Sequence, residues 1–275
     1  MTLKFETPAI KIYLGDSLEI LPTLTESVFS CVTSPPYAEQ RAKFYSSISE
    51  TEYPTFTLAW MDGLKPFLDK QGSVLINIRE NISKGEISDY VLRTRLKLRE
   101  NAWRECEELI WVKPDGPPVG NMSRPRRSWE RILWFSKTTT PYCDATANGN
   151  EVKNLRFDKS QVGQGLKQWC AGYTNERTYT PPKRTRCRDY VEIPVSKNSR
   201  FKDTEAHPAT FPIALAEWMI KLVSREGDTI IDPFMGSGTV GIACINLNRK
   251  FIGIDNNENY INTSIKRLTS YLEGH

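Results

Sequence analysis

Glycines and carboxylates lie at the ends of two apolar runs, where their types and spacing are suited to binding a ligand. The segment DPFMGSGTVG (232–241) ends one run and opens a helical pattern. Glycines at such a junction permit a tight turn and let a ligand approach the backbone closely. Asp255 ends the next apolar run, where a carboxylate can accept both hydroxyls of a ribose. The pattern predicts a nucleoside-binding site.

The glycine segment differs from two common phosphate-binding patterns. It lacks the lysine of GxxxxGK[ST], which disfavours a nucleoside triphosphate, and it departs from GxGxxG, which disfavours a pyrophosphate. S-adenosylmethionine, a nucleoside attached to an amino acid, carries neither a triphosphate nor a pyrophosphate and therefore fits this site. The alternative is a glycine-rich helix start without a ligand, which the position of Asp255 disfavours.

A rigid turn, Ser34-Pro35-Pro36-Tyr37, follows another β-branched run. Each proline fixes its own φ and restricts the residue before it, and neither carries an N–H. The Ser34 hydroxyl and the Pro35 carbonyl could therefore accept both hydrogens of an amino group, while Tyr37 stacks on the ring that bears it. The alternative is a structural proline turn with a core tyrosine, which the PPY triplet alone favours.

Alternating strand and helix patterns surround both motifs. Strands are predicted at 10–16, 28–37, 72–78, 108–114, 131–137, 229–234 and 250–256, and helices between Pro54 and Pro66 and at 87–101, 209–224, 236–248 and 257–272. Residues 140–205 do not show this alternation but contain scattered aromatic residues, which is typical of a functional insert. The alternation predicts an α/β fold: a mostly parallel sheet with helices on both faces, interrupted by one insert.

Charge is concentrated in that insert. The net charge of the 275 residues is +4, yet residues 151–204 contain twelve Lys/Arg and six Asp/Glu, so the rest of the chain is slightly acidic. A basic insert on an acidic scaffold favours an anionic polymer as partner, although a solvated loop region with surplus cations is an equal alternative on charge alone.

Cysteine usage and hydropathy exclude other classes of protein. Six Cys are widely spread without a CxxC or a close His pair, so we expect reduced thiols inside a cell and no metal site. No apolar run is long enough for a membrane helix, and the N-terminus lacks a signal-peptide pattern. The sequence thus predicts a protein that is neither secreted nor embedded in a membrane.

The two motifs together resemble those of prokaryotic DNA amino-methyltransferases, which methylate cytosine N4 or adenine N6. Ser34–Tyr37 is similar to the catalytic [DNS]PPY motif, and the longer TSPPYxxxR (33–41) looks like the cytosine-N4 branch. HPATFPIALAEWMI, from His207, resembles the motif that completes the cofactor pocket, and SWERILWFSK (128–137) resembles a family strand. The order of catalytic motif, insert and cofactor motif resembles the β group.

The resemblance implies a Rossmann-like, S-adenosylmethionine-dependent methyltransferase fold with a DNA target-recognition insert. Residues 1–139 would be the catalytic half of the methyltransferase domain, 140–205 the insert, and 206–275 the cofactor-binding half.

Site residues follow from the same resemblance. The catalytic residues would be Ser34, Pro35, Pro36 and Tyr37. The cofactor-binding residues would be Asp16, Thr33, His207, Thr210, Asp232, Phe234, Gly236, Ser237, Gly238, Asp255 and Asn256. The DNA-binding residues would be Arg41, Lys43, Arg124, Arg126, Arg127, Lys183, Arg184, Arg186 and Arg188. For Asp16, a helix N-cap in GDSLEILP is an equal alternative, and KRTRCR (183–188) could be a solvated charge run.

The expected function is methyl transfer from S-adenosylmethionine to N4 of a flipped cytosine in double-stranded DNA, within a restriction-modification system. Three alternatives stay open: adenine N6 as the target, an RNA or protein glutamine amide as the substrate, and a non-catalytic DNA-binding protein on the same scaffold. A homodimer and a cognate restriction endonuclease are suggested by resemblance only. The expected location is the cytoplasm of a prokaryote or phage-infected cell, at the nucleoid.

Overall fold

A computed structural model of the protein describes residues 2–39, 48–83, 85–115, 124–152, 183–195 and 211–274. Arg41, Lys43, His207 and Thr210, which the sequence proposes as site residues, lie outside the described residues. Within them, no helix is both long and apolar enough to cross a membrane.

The elements alternate along the chain as the sequence predicts. The strands are β1 Thr2–Glu6, β2 Ile10–Leu14, β3 Ser30–Thr33, β4 Ser73–Ile78, β5 Ile82–Ser83, β6 Glu86–Ile87, β7 Arg104–Val112, β8 Trp129–Ser136, β9 Tyr190–Glu192, β10 Thr229–Asp232 and β11 Lys250–Asp255. The helices are α1 Ser17–Ile20, α2 Tyr53–Leu64, α3 Tyr90–Glu100, α4 Ile213–Val223, α5 Thr239–Asn246 and α6 Glu258–Glu273, with a 3₁₀ turn at Leu21–Thr23.

Among the described residues, nine strands form one sheet in the order β1-β2-β11-β10-β3-β4-β8-β7-β9. The central strands β2, β11, β10, β3 and β4 are parallel. At the edges, β1 runs antiparallel to β2, and β8 runs antiparallel to both β4 and β7. The predicted mostly parallel sheet is confirmed.

Helices cover both faces of the sheet, which is why β4 is buried at every position. On one face, α2 and α3 contribute Trp60, Met61 and Tyr90 to a core cluster shared with the strands. Helices α4, α5 and α6 pack on β3, β11 and β2, and none of their buried residues belongs to that cluster. The predicted placement of helices on both faces of the sheet is therefore confirmed.

Residues Ala145–Arg188 form a compact unit of their own, apart from the unit of Met1–Asp144 and Asp189–His275. The described ends of the smaller unit lie side by side, because the Cys187 N–H donates to the Ala145 carbonyl at 2.7 Å. The smaller unit is narrower than the 140–205 insert expected from the sequence, since β9 adds to the main sheet beside β7.

Candidate active site

The two predicted motifs follow neighbouring strands at the centre of the sheet. The Ser34–Tyr37 turn follows β3, and the glycine loop follows β10. The order of the strands reverses between these two, since β3 continues to β4 on one side and β10 to β11 on the other. Ligands of open parallel sheets bind at the carboxyl ends of the strands at such a reversal.

A hydrogen bond joins the two motifs across this crevice. The Thr33 hydroxyl donates to Asp232 at 2.6 Å, and both residues are buried. The Phe234 N–H donates to the same carboxylate oxygen at 3.0 Å. Burial, together with the negative charge of Asp255, raises the pKa of Asp232 to about 7. A cationic ligand group placed beside Asp232 would favour its ionised form.

Asp255 fixes the glycine loop to the end of β11. Its carboxylate accepts the Gly236 N–H at 2.8 Å and the Asn257 N–H at 2.9 Å, one on each oxygen. The side chain is buried, and burial raises its pKa above the ordinary value. Each carboxylate oxygen can accept a second donor, so ribose hydroxyls remain suitable partners.

The glycine loop has the backbone that its sequence predicts. Gly236 and Gly238 have φ values of 53° and 78°, in the left-handed region that favours glycine. Between them, the hydroxyl of Ser237 is buried and has no hydrogen-bond partner among the described residues. Because buried polar groups are nearly always paired, this hydroxyl fits a ligand that bonds it.

The Ser34–Tyr37 turn is held in place through its tyrosine. The Tyr37 hydroxyl donates to Glu130 at 3.0 Å and accepts the side-chain N–H of Asn77 at 3.1 Å. Ser34, three residues before Tyr37 in the same turn, is half-buried. Burial and the charge of Glu130 raise the pKa of Tyr37 well above its usual range, so the phenol keeps its proton at neutral pH.

Other predicted cofactor residues take structural positions beside this crevice. Asp16 is exposed and caps α1, accepting the Leu18 N–H at 2.8 Å, as the helix-cap alternative predicts. The ring of Phe234 packs against Phe56 and Trp60 of α2 at centroid distances of 5.7 and 5.6 Å. Asn256 is exposed.

The predicted DNA-binding cations fall into two groups. In the first, Arg127 donates to the carbonyl and the carboxylate of Glu80, at 2.6 and 3.3 Å, so its guanidinium is already engaged. Arg124 donates to the Gly85 carbonyl and Arg126 to that of Pro114.

The second group lies in the smaller unit. Its members are exposed, and they are Lys183, Arg184, Arg186 and Arg188. Arg184 also donates to the Gly149 carbonyl at 3.2 Å.

Sequence reasoning did not predict Asn77, Lys113 or a role for Glu130. Lys113 pairs with Glu130, and its ammonium lies 4.2 Å from the centre of the Trp111 ring. The sequence SWE (128–130), which leads into β8, was the feature that could have pointed to Glu130. In the described parts of the chain, no cluster of His, Cys, Asp and Glu could hold a metal ion.

Comparison with known proteins places this geometry in a family. The chain is 48% identical to the Type II methyltransferase M.HpaI of Haemophilus parainfluenzae, over 96% of this chain and 76% of that protein. It is 26% identical to the Type II methyltransferase M.PvuII of Proteus hauseri, over 94% and 83% of the two chains.

Solved structures share the fold. The PvuII DNA methyltransferase (cytosine-N4-specific) superposes with a TM-score of 0.70 at 24% identity, over 97% of this chain and 92% of that one. The M1.HpyAVI-SAM complex superposes with a TM-score of 0.61 at 25% identity, over 94% and 98%. The DNA methylase family profile (N6/N4 methyltransferases) matches residues 28–266. The resemblance seen in the motifs is confirmed, and the chain belongs to this DNA methylase family.

Proposed function

We propose that this DNA methyltransferase transfers a methyl group from S-adenosylmethionine to the exocyclic N4 of a cytosine in duplex DNA, at a specific sequence and within a restriction-modification system. The observation that carries the proposal is the 2.6 Å hydrogen bond between Thr33 and Asp232, which fixes an amine-accepting turn beside a nucleoside-binding loop. Methyl donor and acceptor amine can therefore meet at one crevice.

The glycine loop supplies the residues that fit the cofactor. Asp255 would accept the ribose hydroxyls, the unpartnered Ser237 hydroxyl would bond a polar group of the ligand, and Asp232 would face its cationic part. S-adenosylmethionine supplies a methyl group on a positively charged sulfur, which makes that methyl electrophilic. By family resemblance, His207 and Thr210 would complete this pocket.

The catalytic turn would activate the target nitrogen. An exocyclic amine is a poor nucleophile because its lone pair is delocalised into the ring. If the Ser34 hydroxyl and the Pro35 carbonyl accept both N–H groups, the nitrogen is drawn toward tetrahedral geometry and its lone pair points at the methyl group. The catalysis is then positioning and local electrostatics, without a covalent intermediate. The base must leave the duplex to reach the turn, where Tyr37 would stack on it.

Cytosine is the first candidate base because Ser34 provides a neutral hydroxyl, as in the TSPPY branch that the sequence resembles. Adenine N6 is the second candidate, since the same hydroxyl and carbonyl can accept the two hydrogens of either amine. DNA affinity would come from phosphate contacts by the exposed Arg124 and Arg126 and by the exposed cations at 183–188. Sequence choice would come from the insert.

Nucleoside analysis tests this proposal. The protein is incubated with methyl-labelled S-adenosylmethionine and unmethylated phage DNA, and the DNA is digested to nucleosides and separated. We expect label in N4-methylcytosine. Label in N6-methyladenine would keep methyl transfer and overturn the base assignment. Cofactor binding without any label in DNA would contradict the proposed function.

A further inference from the structure

Glu130 stands at the point where the outer strands of the sheet reach the catalytic turn. It lies near the start of β8, directly opposite Trp111 of β7, while Asn77 of β4 lies opposite Ile132. Because side chains alternate along a strand and paired residues share a face, Asn77 and Glu130 project from the same face of the sheet. Since β8 runs antiparallel to β4, its first residues lie at the edge where β4 ends.

Three donors converge on the Glu130 carboxylate. The Tyr37 hydroxyl lies 3.0 Å and the Asn77 amide nitrogen 2.9 Å from one oxygen, and the Lys113 ammonium contacts the other. Glu130 is only 7% exposed. A buried carboxylate is costly unless it is paired and hydrogen-bonded, and here the partly buried Lys113 ammonium and two neutral donors meet that need.

The donor and acceptor inventory fixes the direction of each hydrogen bond. An ionised carboxylate can only accept, so the single proton of Tyr37 goes to Glu130. The Asn77 amide nitrogen can only donate, so it occupies one lone pair of the Tyr37 oxygen. The proton of the Tyr37 hydroxyl and one of its lone pairs are therefore committed to β8 and β4.

This direction matters for the proposed chemistry. Because the Tyr37 proton is committed to Glu130, it does not occupy a lone pair of the Ser34 hydroxyl, and the lone pairs of that hydroxyl stay available for the hydrogen of an incoming amine. If Tyr37 donated to Ser34 instead, one of those lone pairs would be occupied. The same contacts fix the Tyr37 ring before a base arrives, which avoids ordering it during binding.

We propose that Glu130 is a positioning residue for methyl transfer: by accepting the Tyr37 proton, it keeps the Ser34 hydroxyl available as a hydrogen-bond acceptor for the target amine and fixes the ring on which the base stacks. The inference rests on the proposed function of the Ser34–Tyr37 turn. Glu130 acts through Tyr37 and Ser34 and does not itself touch the substrate.

A double-mutant cycle tests this role, with kcat and KM measured on labelled S-adenosylmethionine and unmethylated phage DNA. Glu130→Gln offers an amide that can donate to Tyr37, so we expect kcat to fall about 10- to 100-fold while KM for S-adenosylmethionine changes less than about twofold. Tyr37→Phe removes the hydroxyl through which Glu130 acts, so adding Glu130→Gln to it should lower kcat no further.

Glu105→Gln is the matched control. Glu105 lies on β7 with a side chain about as buried as that of Glu130, and it pairs with Arg95 at 2.5 Å and Arg99 at 3.7 Å. It has no contact with the catalytic turn among those that the structure describes, so its variant should lose an ion pair but keep its kcat.

Three outcomes would overturn the inference. They are a wild-type kcat in Glu130→Gln, a loss equal to that of Glu105→Gln, and a loss that adds fully to that of Tyr37→Phe. If Glu130→Gln fails to fold, Tyr37→Phe alone decides, because an unchanged kcat without the hydroxyl would exclude a role of Glu130 that acts through Tyr37. A wild-type protein that methylates no DNA would overturn the proposed function itself, and this inference with it.

Discussion

At the scale of single residues, the crevice depends on carboxylates kept out of water. Asp232 is 2% exposed and is surrounded by neutral donors rather than by cations of this chain that the structure describes. Its pKa is therefore raised from 3.8 to about 7. Such a group makes the stability of the ligand-free protein depend on pH in a defined direction.

Asp232→Asn should change that dependence. The unfolded chain loses the Asp232 proton near pH 4, while the folded protein keeps it until about pH 7. The stabilisation from this raised pKa is therefore present at low pH and is lost as pH rises to 7. We expect the free energy of unfolding of the variant, minus that of the parent, to increase from pH 4 to 7 by a few kcal/mol and then level off. Urea titrations at several pH values, with exposed Glu19→Gln as the control, measure it. A difference in the free energy of unfolding that stays flat or falls from pH 4 to 7 would contradict the raised pKa of Asp232.

At the scale of elements, the glycine loop is positioned by how closely α5 packs on the sheet. A Cβ on Gly241 would lie 2.8 Å from the Phe251 ring and 2.9 Å from the Leu268 side chain. Gly63, in α2, is the matched control, since its Cβ would meet Leu21 at an ordinary 3.4 Å.

Alanine substitutions at these two glycines should thus change the free energy of unfolding differently. Gly241→Ala should lower the free energy of unfolding by about 1–3 kcal/mol, because the added methyl group overpacks the interface of α5, β11 and α6. Gly63→Ala should leave stability unchanged or raise it by up to about 1 kcal/mol, because alanine favours the helix. Denaturant midpoints of the two variants compare them directly. Equal effects would show that α5 can shift without cost.

The sequence predicts the elements that carry strong local patterns and misses those that depend on pairing. β-branched runs identify β3, β4, β10 and β11, and Asp232 and Asp255 are found because they end such runs. Strands β1 and β9 are short and lie at the edges of the sheet without a fully buried residue, so hydropathy does not mark them. The antiparallel direction of β8 and the convergence of Asn77 and Lys113 on Glu130 are set by register across strands, which a single sequence does not encode.

At the scale of the whole molecule, the insert and the methyltransferase unit should be separable. Because the Ala145 carbonyl and the Cys187 N–H are 2.7 Å apart, residues 147–185 can be replaced by a short Gly/Ser turn while β9 stays in the sheet. We expect the variant that lacks residues 147–185 to bind S-adenosylmethionine with the affinity of the parent and to lose sequence selectivity on DNA. Calorimetry and the pattern of methylated sites measure the two properties. Loss of cofactor binding would mean that the insert helps to build the pocket.

The most direct test of the central claim compares Ser34→Ala with Asp255→Ala. Single-turnover methyl transfer to phage DNA is measured at saturating S-adenosylmethionine, with the Kd for the cofactor measured on the same preparations. Ser34→Ala should lower the rate about 10²- to 10³-fold with a Kd within about twofold of the parent. Asp255→Ala should weaken cofactor binding about 10- to 100-fold and lower the saturated rate far less. A Ser34→Ala protein with the full rate would contradict the account, because the turn would then not be the acceptor of the target amine.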